Sequence, residues 1–349
     1  MSVLVTTRVL PHISMARPTM RDVAGRAGVA VVTVSRVVNG EGYVREETAN
    51  RIRAAITELG FHRDEVARAL RPGRNSLTIG LLLGDLTNSF YATIARAAVE
   101  VANKSGFAVL LSTVDEDPEV EQRAVGDLIG RRVAGLVIVP DQRDHAFLDR
   151  ATGHGRMPVV FVDRPAAGTN ADAVLFDNEG GGRLATRHLI EQGHRRIAIL
   201  VAPSYYTTGR RLRGYRKALR EAGITVDERL VVALDHGSAS EAADATHQLL
   251  RSSNPPTAVF STTNFLTEGV IRATQHLPYP IALVGFDDFR MADLLSTPVT
   301  VVATDAADLG RRAARLLLTR IDGATDPVTR TVLPVRLIPR GSGEVPPPA

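Results

Sequence analysis

The 349-residue chain has no cysteine. That removes any disulfide framework and any thiolate-ligated zinc or iron–sulfur site, and it fits a reducing compartment. Long apolar runs are missing too: none approaches the roughly 20 residues of a membrane-spanning helix, so no membrane partner is expected. The opening MSVLVTTRVLPHISMARP makes no secretion signal, because Arg8 and Pro11 cut its apolar stretch short. Residues 1–17 are expected to form a loose, disordered tail, with Met15 as an alternative start. Catalytic signatures are equally scarce. Neither a G-x-S-x-G nor a Walker pattern occurs, and the nine histidines are scattered rather than grouped with acids at metal-ligand spacing. GGGR at 180–183 lacks the spacing of a dinucleotide fingerprint and reads as close helix packing. No catalytic residue, metal or cofactor is therefore expected.

What is present is unevenly placed. The chain is 44% hydrophobic and 23% charged, an ordinary globular balance for two or three domains. Its net charge is +4, but residues 1–78 alone hold 12 arginines, no lysine and 7 acids, leaving the remainder at −1. Arginine is favoured throughout, which is a compositional habit. Basic asymmetry at one end is also the electrostatic footprint of nucleic-acid binding.

In that basic end, TMRDVAGRAGVAVVTVSRVVNG spells two short helices. Thr19 suits the cap of the first, with Asp22 in the place of a capping-box acid. Gly28 supplies the turn, and Asn39-Gly40 ends the second helix, which begins near Ala30. A third helix from about Arg45 carries Ile52, Ala55, Ile56 and Leu59 at helical spacing and stops at Gly60. This is a helix-turn-helix plan, in which the second helix enters the DNA major groove. Val34 and Val37 are expected inward. Val31, Val32, Thr33, Ser35 and Arg36, flanked by Thr19 and Asn39, form the candidate DNA-contacting set. Arg36 suits bidentate readout of guanine, and the exposed valines suit thymine methyls.

These residues, continued by GYVREETANRIRAAITELGF and DEVARALRPGR, resemble the LacI family of bacterial transcription regulators, and the resemblance runs collinearly over about residues 18–343. It departs at Ala30, where the family usually has a serine cap. The resemblance implies a helix-turn-helix domain at 18–62 and a hinge helix and linker at 63–75. In the hinge, Leu70 matches the leucine wedged into the minor groove, and Arg68 and Arg71 are placed for phosphates. It further implies a periplasmic-binding-protein-like core at 76–343. Its first subdomain is expected at about 76–175 plus 304–333 and its second at about 176–303 plus 334–343, ahead of a flexible tail at 344–349.

The core pattern is legible independently. β-Branched runs such as TIGLLLG, PVVFVD, RIAILV and IALVGFDD alternate with amphipathic stretches, as parallel sheets covered on both faces require. Two such series in tandem give two α/β subdomains, with a ligand cleft expected beyond the carboxyl ends of the strands. Polar residues recur where strands end. Asn88 is a candidate effector contact by its place at a strand end, and by motif the resemblance implies effector-binding roles for Phe90, Tyr91, Asp163, Arg211 and Asp287. Other candidate positions depart from the family pattern: Thr263-Asn264 stands where Asn-Asp is usual, His236 where a stacking aromatic is common, and Thr304 where a glutamine is frequent. Acids, amides and an arginine beside aromatics suit a sugar or sugar derivative; His236 and Phe90 would also suit a flat purine. The expectation is a cytoplasmic, nucleoid-associated repressor that binds a palindromic double-stranded operator as a homodimer under control of a small-molecule effector. The dimer is preferred because the terminal EVPPPA cannot form a heptad tail. The alternatives are a solute-binding protein or a sugar-processing enzyme on the same α/β scaffold.

Overall fold

The computed structural model describes residues 18–61, 76–114, 118–140, 144–153, 157–203 and 205–348. The tail at 1–17 and the expected hinge, with Arg68, Leu70 and Arg71, lie outside the described residues. The chain forms two compact units, Met1–Arg74 and Asn75–Ala349.

The first unit holds α1 (Met20–Ala27), α2 (Val31–Asn39) and α3 (Glu46–Leu59). Thr19 and Asp22 cap α1 reciprocally. The Asp22 N–H donates to Thr19 Oγ1 at 3.3 Å, and the Thr19 N–H donates to the Asp22 carboxylate at 2.7 Å. Gly28 then turns left-handed at φ 65° and stops the helix. No side chain caps α2 at Ala30; its first turn is fixed by the Thr33 and Val34 N–H groups on the Ala30 carbonyl. Helices this short are marginal alone. They persist by sharing a core of Val23, Ala24, Ala27, Val34, Ile52, Ala55 and Phe61.

The second unit has two lobes, each built on a six-stranded sheet. The first contains β1 (Thr78–Leu83), α4 (Ser89–Lys104), β2 (Ala108–Thr113), α5 (Pro118–Gly130), β3 (Leu136–Ile138), α6 (Phe147–Ala151), β4 (Val159–Val162) and β5 (Asp172–Phe176). The second contains α7 (Asn178–Glu191), β6 (Ile197–Val201), α8 (Tyr206–Glu221), β7 (Val231–Ala233), α9 (Ala239–Leu250), β8 (Ala258–Ser261), α10 (Asn264–Thr274), β9 (Ala282–Phe286) and β10 (Thr300–Ala303). The chain then returns to the first lobe with α11 (Ala306–Ile321) and β11 (Arg330–Leu333), and ends in the second with β12 (Arg336–Ile338). Strand orders are β11-β5-β4-β3-β1-β2 and β12-β10-β9-β8-β6-β7. Pairing is parallel everywhere except β10 with β12. Interior strands such as β5, β6, β8 and β9 are buried along their whole length, as their predominantly apolar sequences require.

Two features depart from the sequence reading. The helix α11 was not singled out, yet Leu309, Ala313, Ala314 and Leu317 enter the first-lobe core. The expected flexible tail is anchored where it begins. The Glu344 carboxylate accepts from Thr300 Oγ1 at 2.8 Å and shares a 2.6 Å hydrogen bond with His188 Nε2, while His194 Nε2 donates to the Val345 carbonyl at 2.8 Å. Polar groups buried in the second lobe need partners, and this segment supplies them.

The α7–α8 contact sets the cleft that follows. A Cβ on Gly182 would lie 2.1 Å from the Arg211 carbonyl oxygen, and one on Gly214 would lie 2.1 Å from that of Glu179. Only glycine lets the two helices approach this closely.

Candidate functional site

Two candidate sites emerge, one in each unit. On α2 the buried Val34 fixes the helix rotation and leaves Val31 (42% exposed), Val32 (59%) and Arg36 facing outward. Thr33 and Ser35 are half-buried on the same helix, and Asn39 Nδ2 donates to Ser35 Oγ at 3.0 Å. This is a short face of two apolar tips, two hydroxyls and one guanidinium, the chemistry of base-edge readout. Thr19 is engaged as the α1 cap, its hydroxyl donating to Asp22 at 2.7 Å. The sequence reading passed over Tyr43, 88% exposed in the loop after α2. An aromatic between Gly42 and Val44, outside any helical stripe, was the available signal.

In the second unit all nine candidate effector residues line one cavity of about 740 Å³ between the two lobes. Asn88, Phe90 and Tyr91 come from the start of α4 and Asp163 from the end of β4, all in the first lobe. Arg211 comes from α8, Thr263 and Asn264 from the start of α10, and Asp287 from the end of β9, in the second.

Asp163 and Asp287 hold equivalent places. Each follows a strand, turns left-handed at φ 66°, and donates its N–H to the next strand at 3.0 Å, to Val174 and Val302 respectively. A left-handed aspartate is unusual; here it turns the chain sharply at the cleft. Burial pushes the Asp163 carboxyl above the usual carboxylate range; the nearby Arg164 and Arg211 oppose this, and the Asp287 carboxylate adds to it.

Arg211, 3% exposed, is the most constrained group. Its Nε donates to Asn178 Oδ1 at 2.8 Å, and its Nη1 donates to the Thr262 carbonyl and to Asp287 Oδ2, the latter at 3.2 Å. Its guanidinium carbon stands 3.5 Å from the centre of the Phe286 ring. Thr304 donates its hydroxyl to Asp287 Oδ1 at 3.0 Å and so orients that carboxylate. The cavity also gathers residues outside the original set, among them Arg164, Tyr205, Thr207, Thr208 and Ser238. Arg164 Nη2 donates to the Tyr91 hydroxyl at 3.4 Å, and its guanidinium lies 5.3 Å from the Tyr205 ring of the opposite lobe. Arg164 follows Asp163 at the end of β4; for the others the signal lay in chain order, since the helix starts after β6 and β7 face the same cleft.

Comparison with known proteins agrees with both halves. Residues 19–64 match the family model "Bacterial regulatory proteins, lacI family", and residues 186–343 match "Periplasmic binding protein-like domain". The HTH-type transcriptional regulator CelR of Thermobifida fusca is 36% identical over 340 residues, covering 94% of this chain and 98% of its own. The chain belongs to the LacI family. The ribose operon repressor of Escherichia coli (strain K12) is another relative, 32% identical over 93% of this LacI-family chain and 99% of its own length. Among solved structures, a lac repressor dimer bound to operator and an anti-inducer matches with a TM-score of 0.82 at 29% identity, covering 93% of this chain and 99% of that one. A CelR–cellobiose complex matches at 0.69 and 33% identity, covering 94% and 100%. These relatives are transcriptional regulators or repressors, and the plan here is theirs: a small helical unit followed by two parallel-sheet lobes.

Proposed function

We propose that this LacI-family protein is a cytoplasmic transcriptional repressor without enzymatic activity. It binds a two-fold symmetric operator as a homodimer and is released from it, or held on it, by a saccharide in the interlobe cleft. Symmetric pairs of α2 helices would read two half-sites one helical turn or a multiple apart, with Arg36, Val31, Val32, Thr33 and Ser35 at base edges. Arg68, Leu70 and Arg71 of the hinge would reach the phosphates and the minor groove at the operator centre.

The observation that carries this reading is the convergence of Asp163 from one lobe with Arg211 and Asp287 from the other on one cavity. A ligand bridging both lobes favours one lobe arrangement over others. That differential affinity is what can change DNA binding, by typically about 1–3 kcal/mol. Relatives point the same way: one is a ribose operon repressor and another was solved with cellobiose. The test is selection of bound duplexes from a random library at near-physiological salt, followed by sequencing. An enriched palindrome of fixed spacing supports the proposal, and titrating saccharides against that duplex reads the sign of the response. Duplex binding without enrichment, with or without saccharides, would overturn it.

A further inference from the structure

The two lobes are also joined outside the cleft. Arg330 opens β11 in the first lobe and Tyr206 opens α8 in the second. Arg330 Nη2 donates to the Tyr206 hydroxyl at 3.2 Å, across 124 residues of sequence. Neither residue lines the cavity, although Tyr205, Thr207 and Thr208 beside Tyr206 do.

Both ends of this bond stand on rigid supports. Thr329, just before Arg330, donates its N–H to Asp172 at 2.7 Å and accepts the Ala173 N–H at 2.8 Å. Arg320 holds the same Asp172 carboxylate at 2.7 and 3.0 Å, so the start of β11 moves with the first lobe. On the other side, Tyr215 of α8 donates its hydroxyl to the Ile197 carbonyl at 2.7 Å, and Arg211 is held by Asn178 and Asp287. With Gly214 letting α8 lie against α7, the start of α8 moves with the second lobe. A bond between two such bodies fixes their relative position; one between loops would not.

Placement gives the bond leverage. The chain passes from the first lobe to the second just beyond Leu333. Three residues of strand, about 10 Å, separate that crossover from Arg330. A crossover alone permits hinge rotation, and a bond set off from it opposes the rotation. Next to it lies a contact that a ligand can reach. Arg164, from the end of β4, stands 5.3 Å from the Tyr205 ring inside the cavity. Two arginines of the first lobe thus grip two consecutive tyrosines of the second, one pair within the cavity and one outside it.

We propose that Arg330 and Tyr206 form an interlobe strut, a pair of positioning residues that sets the angle between the lobes, and with it operator affinity, without touching the effector. This rests on the reading that the cleft controls DNA binding. A ligand that displaces the Arg164–Tyr205 contact works against the strut, which therefore sets how much lobe movement a given binding energy yields.

The test uses the full-length protein with Tyr206→Phe, Arg330→Ala and the double variant. Because the chain has no cysteine, Gln122→Cys on α5 and Gln248→Cys on α9, both exposed, accept one spin label in each lobe. Pulsed electron resonance on dimers with one labelled subunit then reads the interlobe distance. Tyr206→Phe removes only the hydroxyl and is expected to shift or broaden the distance distribution. Arg330→Ala should do the same, and the double variant should go no further than either single, since each removes the same bond. Melting temperature should stay within about 2 °C, because an exposed bond adds little to folding, whereas a merely structural role would lower it. Affinity for the selected operator duplex should change about threefold or more in each variant, again without additivity. Unchanged distances, additive effects, or distances that move while operator affinity does not would overturn the proposal. Failure of the wild type to select an operator would overturn the reading beneath it; variants identical to an operator-selecting wild type would overturn the strut alone.

Discussion

Asn88 and Asn264, 176 residues apart in sequence, bond to each other across the cleft: Asn264 Nδ2 donates to Asn88 Oδ1 at 3.0 Å. Each is also built into its own helix start. Asn88 Oδ1 accepts the Phe90 N–H, and Asn264 Oδ1 accepts the Phe265 N–H, each at 3.0 Å. The pair therefore ties α4 of one lobe to α10 of the other. Asn88→Ala, Asn264→Ala and the double variant should give a coupling of about 1 kcal/mol in a double-mutant cycle of ligand affinity. Strictly additive losses would show that the two amides bind ligand independently.

Arg36 projects from a helix anchored only by Val34 and its half-buried neighbours. Arg36→Ala is expected to weaken binding to the selected operator by about 1–3 kcal/mol while changing non-specific binding far less. Competition titrations against operator and random duplex measure both; equal losses would reduce Arg36 to a phosphate contact.

Asp172 opens β5 and receives Arg320 in a bidentate pair at 2.7 and 3.0 Å, together with the Thr329 N–H at 2.7 Å. Burial pushes its carboxyl up, but the hydrogen bonds from Arg320 and Thr329 outweigh this and hold it below its ordinary 3.8. A depressed carboxylate stabilises the fold above the unfolded-state value and loses that contribution as pH falls through the folded one. Acid denaturation of wild type should therefore steepen below about pH 4, and Asp172→Ala should flatten that limb. At neutral pH the variant should lose about 2–3 kcal/mol. Fully buried pairs lose about 3–5, but Arg320 is 12% exposed and keeps carbonyl partners at Ala324, Asp326 and Pro327.

Removal of residues 344–349 takes partners from Thr300, His188 and His194 at once. A loss of about 2 kcal/mol in urea unfolding is expected, from about 1–3 per orphaned buried group offset by water at the surface. His194 adds a pH signature. Burial lowers it below its ordinary 6.5, against the raising effect of the Val345 carbonyl. A neutral buried histidine stabilises the fold above the unfolded-state value, and stability drains as pH falls from 6.5 toward the folded value. His194→Gln should reduce the slope of stability against pH in that window; an unchanged slope would remove His194 from the balance.

The sequence by itself determined what local chemistry determines. Strand runs and helix stripes are set by side-chain periodicity, the ends of α1, α2 and α3 by glycines able to turn left-handed, and the outward face of α2 by the spacing of its valines. Even α11 was legible in principle, since Leu309, Ala313 and Leu317 recur at helical spacing behind the Asp305 cap. Acids and amides at strand ends likewise marked where a cleft would form. Tertiary structure decided what those residues do to one another. That Asn88 meets Asn264, that Arg211 is committed to Asp287, and that Glu344 completes the second lobe all depend on segments distant in sequence. No period or cap encodes such meetings, because they follow from the chain crossing three times between sheets and from the close approach of α7 and α8 at Gly182 and Gly214.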